Sequence, residues 1–416
     1  MTGSHDSQRG LVVAKWISND GLLILVEKSV RTVPYGFLGV LFGVYLGALG
    51  FDPFQIGVVL TLTVFTSALY TFFVSFLADR TGRRRTLIFF AFMDLIAGST
   101  LFLSTDWWAP VVAGVVGNMT VGAGEVGPFL SLEQAIIPKT CDSKHRTLAF
   151  SVYNLIGYGS SSVGALLAGV PEFLGSGIAS YRPLFAAYLL SGLVGSLLYA
   201  RMSSQVEAEI DRRGQGTRAL SEKSKPIVEK LAALFAVDSF GGGFIAQSIV
   251  SYYFYVRYSL QLSSLGLIFS ATQIVTALSF LAAERIARKI GLLRTMVFSH
   301  IPSNIFLASV AFAPSVSWAV ALLLCRQSLS QMDVPTRQSY VMAVVQESDR
   351  TAAAGLTNTS RTMAQSISPS LAGYAMTTLG LGAPFVAAGG LKIAYDLMIY
   401  QSFRKIRPPE EIAAKR

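Results

Sequence analysis

Long apolar runs separated by short charged turns repeat along the whole chain. Twelve of them stand out, at residues 22–49, 54–78, 87–104, 109–134, 147–170, 183–203, 227–256, 263–283, 293–313, 316–340, 351–378 and 383–403. A helix needs about 20 apolar residues to cross a hydrocarbon layer about 30 Å thick, so each run is predicted to be a transmembrane helix, numbered here spans 1 to 12. Inside lipid every backbone amide must be satisfied within the segment, which a helix of this length achieves. The longest polar interval runs from Arg201 to Pro226 (RMSSQVEAEIDRRGQGTRALSEKSKP) and divides the spans six and six. Its glycines, serines and mixed charges read as a flexible linker. The expected organisation is a six-helix bundle over 1–200, a linker over 201–226 and a second six-helix bundle over 227–416.

Composition agrees with an all-α membrane protein. Only 14% of the 416 residues are charged and 52% are apolar, whereas soluble domains carry about 25% charged residues. The net charge of +10 does not signal nucleic acid, because the positive residues sit in turns between apolar runs and form no basic domain. Their placement is informative in another way. Lysine and arginine concentrate in the loops after spans 2, 4, 6, 8 and 10, while the alternate loops hold only Arg182 and Arg257. Positive residues near span ends stay in the cytoplasm, which predicts that both termini and the linker are cytoplasmic. The opening MTGSHDSQRG has no apolar signal-peptide core. Cys141 and Cys325 suggest no disulfide or zinc framework, and His5, His145 and His300 are scattered. A P-loop is missing, which argues against ATP coupling, and nothing resembles a nucleophile–base pair.

The two halves resemble each other. YLGALGFDPFQIG ends at Gly57 and YVRYSLQLSSLG ends at Gly266, 209 positions later; Gly82 and Arg85 correspond to Gly291 and Arg294 at the same offset. The stretch RTLAFSVYNLIGYGSSSVGALLAG at 146–169 aligns without gaps to RTAAAGLTNTSRTMAQSISPSLAG at 350–373, 204 positions on. Two six-helix halves in parallel repeat place a substrate site between them near the bilayer midplane.

The segment SFLADRTGRRRTL at 75–87 concentrates charge between spans 2 and 3. The arginines anchor the turn on the cytoplasmic side, but anchoring does not account for Asp79 or Gly82. The segment resembles the loop G-x-L-A-D-R-x-G-R-R/K-x-x-L of major facilitator superfamily transporters, with Leu77, Ala78, Asp79, Arg80, Gly82, Arg83, Arg84 and Leu87 matching and Ser75 in place of the first glycine. The second-half copy is degenerate, with Arg288 at the position equivalent to Asp79. The resemblance covers essentially the whole chain. It implies twelve transmembrane helices in two pseudo-symmetric bundles that rock about a central cavity lined by spans 1, 4, 7 and 10. It also implies a gating loop in which Asp79, with Arg80, Gly82 and Arg83 around it, helps to bridge the halves while the cytoplasmic side is closed.

An ionisable group at mid-membrane costs a few kcal/mol by insertion scales, so each is a functional candidate. On span 4, Asn118 and Glu125 are seven residues apart; on span 10, Arg326 and Asp333 have the same spacing, 208 positions further on. Seven residues keep two groups on one helix face. Arg337, four beyond Asp333, joins that face and can form an i,i+4 pair. On span 7, Asp238 precedes Gly241, Gly242 and Gly243, which weaken the helix there, and Gln247 follows as a neutral hydrogen-bonding group. Glu27 and Arg31 on span 1, and Lys392 and Asp396 on span 12, are each expected to pair i,i+4. Asp94 on span 3 reads as structural, and Glu133 reads as a solvated or gating group at the end of span 4. Arg361 on span 11, beside Asn358 and Gln365, is a further group within reach of the cavity. Small residues on span 5, from Gly157 to Gly169, permit close helix contact.

These features lead to the expectation of a proton-driven secondary transporter in the plasma membrane, without a cofactor, moving a small organic solute by alternating access. Glu125, Asp238 and Asp333 are the expected proton carriers, and Arg326 and Arg337 the counter-charges or anion ligands. Efflux is the first direction considered, although Asn118 stands where many superfamily exporters carry an arginine, and proton-coupled uptake of an organic anion, suggested by the two cavity arginines, is the second. A non-transporting receptor with the same fold is the alternative from another class. The expected partners are a small molecule and the bilayer, with no nucleic acid or nucleotide, and the chain is expected to act as a monomer.

Overall fold

The computed structural model describes residues 16–120, 127–141, 145–175, 177–207, 220–346 and 349–406. Span 1 is Asn19–Ala48, span 2 Pro53–Thr81, span 3 Arg83–Leu103, span 5 Arg146–Leu167 and span 6 Arg182–Ala200. In the second half, span 8 is Leu262–Ile290, span 9 Leu292–Val310, span 11 Arg350–Thr378 and span 12 Ala383–Phe403. Spans 4, 7 and 10, expected as continuous helices, are each interrupted. Span 4 consists of Trp108–Val116 and Pro128–Ile136, span 7 of Lys225–Gly243 and Gln247–Tyr258, and span 10 of Val316–Ser330 and Asp333–Val344. Gly117, Gly127 and Pro128 flank the first break, where proline lacks an amide and glycine adds backbone freedom. Among the described residues, six segments qualify as membrane spans on length and hydropathy alone.

Local chemistry sets the ends. Asp52 and Gln55 form a reciprocal capping box at the start of span 2, with Asp52 Oδ1 accepting from the Gln55 amide at 2.8 Å. Gly82 (φ 99°) and Gly291 (φ 92°) reverse the chain between spans 2 and 3 and between spans 8 and 9. That backbone region favours glycine, which explains why the pair recurs across the repeat. Phe73, Phe89, Phe92, Leu155, Leu267 and Leu278 are exposed on the outer surface of the spans, as a lipid-facing belt requires.

The halves meet on the face opposite the linker, here the distal face. A β-carbon on Gly57 of span 2 would lie 2.3 Å from the Pro369 carbonyl oxygen of span 11, and one on Gly266 of span 8 would lie 2.5 Å from the Ala165 carbonyl oxygen of span 5. Gly373 and Gly169 make the reciprocal contacts, their built β-carbons 2.2 Å from the Pro53 carbonyl oxygen and 2.7 Å from Ser263 Cα. These are equivalent positions of the sequence repeat, so its glycines mark two pseudo-symmetric backbone crossings. Hydrogen bonds between the halves cluster on the same side. Ser248 and Ser251 of span 7 donate to the Gly39 and Val40 carbonyls of span 1 at 3.1 and 2.6 Å, Ser162 and Ser270 share a bond of 2.7 Å, and Ser370 and Thr61 another of 2.7 Å.

Buried apolar side chains follow this division. One cluster runs across both halves on the distal side, including Phe42, Tyr45 and Ile56 with Phe254, Phe269 and Ala372. On the linker side the core separates into one cluster per half, around Phe129 and Tyr199 in the first and around Phe235 and Tyr395 in the second. Between spans 2, 4 and 11 a cavity of about 150 Å³ is lined by Ala68, Thr71 and Ser131 from one half and Asn358, Thr359 and Thr362 from the other. Among the described residues, the apolar core is shared by the two halves on the distal face and divided between them on the linker face.

The turn between spans 2 and 3 is held within its own half. The Glu207 carboxylate accepts the Arg83 amide at 2.5 Å and the Arg84 amide at 3.3 Å, while Lys139 Nζ donates to the Glu207 carbonyl at 2.7 Å. The Arg83 guanidinium donates to the Ala135 carbonyl at 3.2 Å, and that of Arg84 to the Ala200 carbonyl. Ser203 is tied to Asp20 of span 1 by bonds of 2.9 and 2.5 Å. Asp79 and Arg80 fall in the last helical turns of span 2, and their side chains lie outside the described residues.

The crossings make a direct prediction. Gly57→Ala and Gly266→Ala each push a methyl group into a backbone carbonyl, and overpacking of this kind costs about 1–3 kcal/mol. Each change is expected to shift the protein towards a distally open form by roughly tenfold or more, read as a longer distance between spin labels on the distal ends of spans 2 and 11. Unchanged distance distributions in both variants would show that the crossings do not hold the seal.

Candidate functional site

The second half gathers a buried ionic cluster from four spans. Asp238 of span 7 lies at its centre. Lys392 of span 12 reaches Asp238 Oδ1 with its Nζ at 2.6 Å, and Arg337 of span 10 approaches Asp238 Oδ2 at 3.4 Å. Arg337 also bonds Asp333 Oδ2 at 2.5 Å, the i,i+4 contact that their spacing allows. His300 of span 9 stands behind Asp238, with Nε2 3.9 Å from Asp238 Oδ1 and Nδ1 2.8 Å from Asp396 Oδ1. Asn304 donates to the other oxygen of Asp396 at 3.0 Å. All the charged members are buried, so each relies on its neighbours to offset lost hydration.

The glycines of span 7 serve this cluster by their size. The helix runs unbroken through Gly241, Gly242 and Gly243 and is interrupted only at Phe244–Ala246. A β-carbon on Gly241 would lie 3.1 Å from Lys392 Cγ, and one on Gly243 would lie 2.4 Å from Ser368 Oγ. The glycines admit spans 12 and 11 close to the backbone, where the sequence suggested softening.

Two further arginines flank the cluster without a carboxylate partner among the described residues. Arg326 NH1 donates to Gln327 Oε1 at 2.6 Å, Gln327 in turn donates to Thr276 Oγ1 at 2.6 Å, and Arg326 Nε is buried with no hydrogen-bond partner. Arg361 of span 11 donates from Nε to Ser239 Oγ at 2.9 Å. Both side chains are only half-buried, and each lies about ten residues, roughly 15 Å, from the nearer end of its whole span. A guanidinium left open at that depth is costly against lipid, so these groups face the space between the halves. Ser330 Oγ, at the break in span 10, is also buried and unpartnered.

The first half holds a second buried array. Arg31 bonds Glu27 at 3.0 Å and Glu133 at 2.7 Å, and the Tyr153 and Tyr199 hydroxyls each donate to Glu133 at 2.6 Å. Lys28 donates to the Tyr153 hydroxyl at 2.9 Å, and the Arg31 guanidinium stacks 4.2 Å from the centre of the Phe129 ring. Glu133 is therefore enclosed, not solvated, because the second helix of span 4 turns it towards spans 1, 5 and 6. At the break in span 4, Asp94 of span 3 accepts the freed Asn118 amide at 2.8 Å and the Tyr188 and Tyr35 hydroxyls at 2.8 and 3.1 Å. Asn118 Oδ1 accepts from Ser67 at 2.9 Å, while Asn118 Nδ2 and Thr120 Oγ1 are buried without partners.

Of the residues singled out from sequence, Asp238, Asp333 and Arg337 come together, with Arg326 beside them. Asn118 lies across the interface at the break in span 4. Gln247 sits under the distal seal, accepting from Gln273 at 3.3 Å, and Glu125 lies outside the described residues. Lys392 and Asp396 do not pair with each other. Each turns instead to a different partner, Asp238 and His300, on neighbouring spans. His300 was set aside in the sequence as one of three scattered histidines and Asn304 was not singled out, although a histidine and an asparagine four apart in SHIPSNIF were the available signal.

A family model for the Major Facilitator Superfamily matches residues 30–369. The chain belongs to the major facilitator superfamily. It is 25% identical over 421 residues to the uncharacterized membrane protein YJR124C of Saccharomyces cerevisiae, covering 92% of this chain and 94% of the yeast protein. Its fold is similar to that of the nucleoside transporter NupG, with a TM-score of 0.71 at 16% identity over 93% of this chain and 99% of that one. It is also similar to a D-xylose-proton symporter, with a TM-score of 0.72 at 12% identity over 91% and 97% of the two chains. As a member of the superfamily, the protein is a membrane transporter of some solute, built from two six-helix halves.

The two kinds of arginine respond differently to substitution. Arg337→Gln removes the ion pair of Asp333 and one cation from Asp238, and stranding a buried charge costs about 3–5 kcal/mol. The thermal midpoint of the detergent-solubilised protein is expected to fall clearly. Arg326→Gln breaks no ion pair and is expected to leave the midpoint within a few degrees, roughly the effect of 1 kcal/mol or less. Equal losses from both changes would mean that Arg326 is as structural as Arg337.

Proposed function

We propose that the protein carries a small organic anion together with protons across the plasma membrane by alternating access. The observation that supports the anion is the pair Arg326 and Arg361, two guanidinium groups at mid-membrane depth with no carboxylate partner among the described residues. A planar guanidinium is suited to carboxylate or phosphate oxygens, and an anionic solute would supply the missing counter-charge. The linker-side opening offers the approach, and the positive loops support placing that face in the cytoplasm.

Protons suit this cargo on electrical grounds. Moving one charge through the membrane potential is worth about 2.3 kcal/mol per 100 mV, and each accompanying proton cancels one negative charge entering the cell. The likeness to a D-xylose-proton symporter supports the fold's compatibility with proton coupling. Export in exchange for protons, the direction first expected from the sequence, would use the same scaffold but would gain nothing from proton companions for an anion.

The test is flux into proteoliposomes with an imposed pH gradient, using a panel of radiolabelled mono- and dicarboxylates and organic phosphates. Accumulation on the alkaline side, reduced about tenfold or more by Arg326→Gln or Arg361→Gln, is expected from the loss of one charge-assisted hydrogen bond. Accumulation on the acidic side would replace cotransport by exchange. Saturable binding without flux would favour a receptor.

A further inference from the structure

We propose that His300 is the proton-binding group of the transport cycle; the inference rests on the proton-coupled reading above and names its site. Of the carboxylates expected from sequence to carry the proton, Glu125 lies outside the described residues, and Asp238 and Asp333 are already matched by permanent cations. Asp238 has Lys392 at 2.6 Å and Arg337 at 3.4 Å, and Asp333 has Arg337 at 2.5 Å. His300 is different. Its ring stands between two carboxylates on two other spans, Nδ1 2.8 Å from Asp396 and Nε2 3.9 Å from Asp238. A neutral imidazole has one N–H and can donate to only one of them, whereas the imidazolium donates to both.

Charged groups face the ring from several spans. Span 12 contributes Asp396 and Lys392, span 7 Asp238 and span 10 Arg337 with its partner Asp333. Three carboxylates thus face two permanent cations in direct ion pairing, and a proton on His300 supplies the third positive charge. Tyr395 presents its ring edge-on, 6.1 Å between centroids, and Asn304 donates to Asp396. Span 8 is also packed on span 9, and the side chains of its Glu284 and Arg288 lie outside the described residues. Arg326 and Arg361 lie further out, bonded to Gln327 and Ser239.

The geometry also gives the proton a route to the gate. His300 Nε2 and Lys392 Nζ address the same oxygen, Asp238 Oδ1. A proton taken from water by Nε2 creates a second cation at that oxygen, which loosens the hold of Lys392 and lets Asp238 move towards the ring. Asp238 lies five residues before the end of its helix at Gly243, and the helix after the break carries Ser248 and Ser251, which bond the Gly39 and Val40 carbonyls in the distal seal. Protonation on one side of the break is thereby linked to the seal on the other, and loss of the proton from Nε2 resets it.

The proton alone serves as the probe. In a Cys141→Ser, Cys325→Ser background, spin labels at Trp107→Cys and Leu379→Cys, both exposed at distal span ends, report opening of the distal face in lipid vesicles between pH 5 and 8. The parent is expected to change its distance distribution across this range. His300→Gln, which keeps a hydrogen bond to Asp396, is expected to lose the change while remaining folded by gel filtration. Asp396→Asn, which removes one of the two carboxylates facing the ring, is expected to change the midpoint of the transition. A parental response that survives His300→Gln with the same midpoint overturns the inference and leaves proton coupling standing. A parent with no pH response overturns the proton-coupled reading and this inference with it.

Discussion

Two backbone-to-backbone crossings hold the molecule in its observed state. At each, a glycine of one half lies against a carbonyl of the other, with no room for a side chain between them. Close contact of this kind is how helices associate where no hydrophobic difference separates protein from lipid. The crossings are duplicated, Gly57 with Gly373 and Gly266 with Gly169, so the distal seal is two-fold in form. It is also nearly free of charge. Serine and threonine hydroxyls bonded across it are weak enough to part, which an alternating transporter requires, and the ionic groups are kept below it.

Those ionic groups are arranged very differently in the two halves. In the first, Arg31, Glu27, Glu133 and the two tyrosines complete one another, and the array locks spans 1, 4, 5 and 6 into a single body. In the second, Asp238 is shared among cations from two spans and a histidine from a third. Shared partners make a cluster that can be redistributed at little cost, because a group released by one neighbour is taken up by another. One half thus behaves as a fixed block and the other holds the adjustable charges.

Much of the architecture was legible in the sequence, because it rests on periodic and additive signals: apolar runs, loop charge, and a repeat whose glycines turned out to be the points of contact. Asp333 with Arg337 was legible for the same reason, as spacing along one helix decides it. Lys392 and Asp396 had an equal spacing and yet did not pair, since partners on other helices offered shorter contacts. The environment of His300 depends on spans 7, 9 and 12 coming together, 62 and 96 residues from it in the chain, and no local pattern encodes that. The interruption of span 4 was signalled by its glycines and Pro128, but hydropathy averages across such a break and hides it.

The clasp of Glu207 on the turn after span 2 shortens the tether between the bundles. Because Ser203 and Glu207 are fastened to the first half, and Ser221 is bonded to Asp349 in the second at 2.5 Å, 13 residues lie between the two anchorages. Fully stretched, that length reaches at most about 50 Å, far more than a rocking motion consumes. The leash therefore leaves the swing of the two bodies unrestrained, and it keeps its anchorage beside the very turn on which the linker face must close.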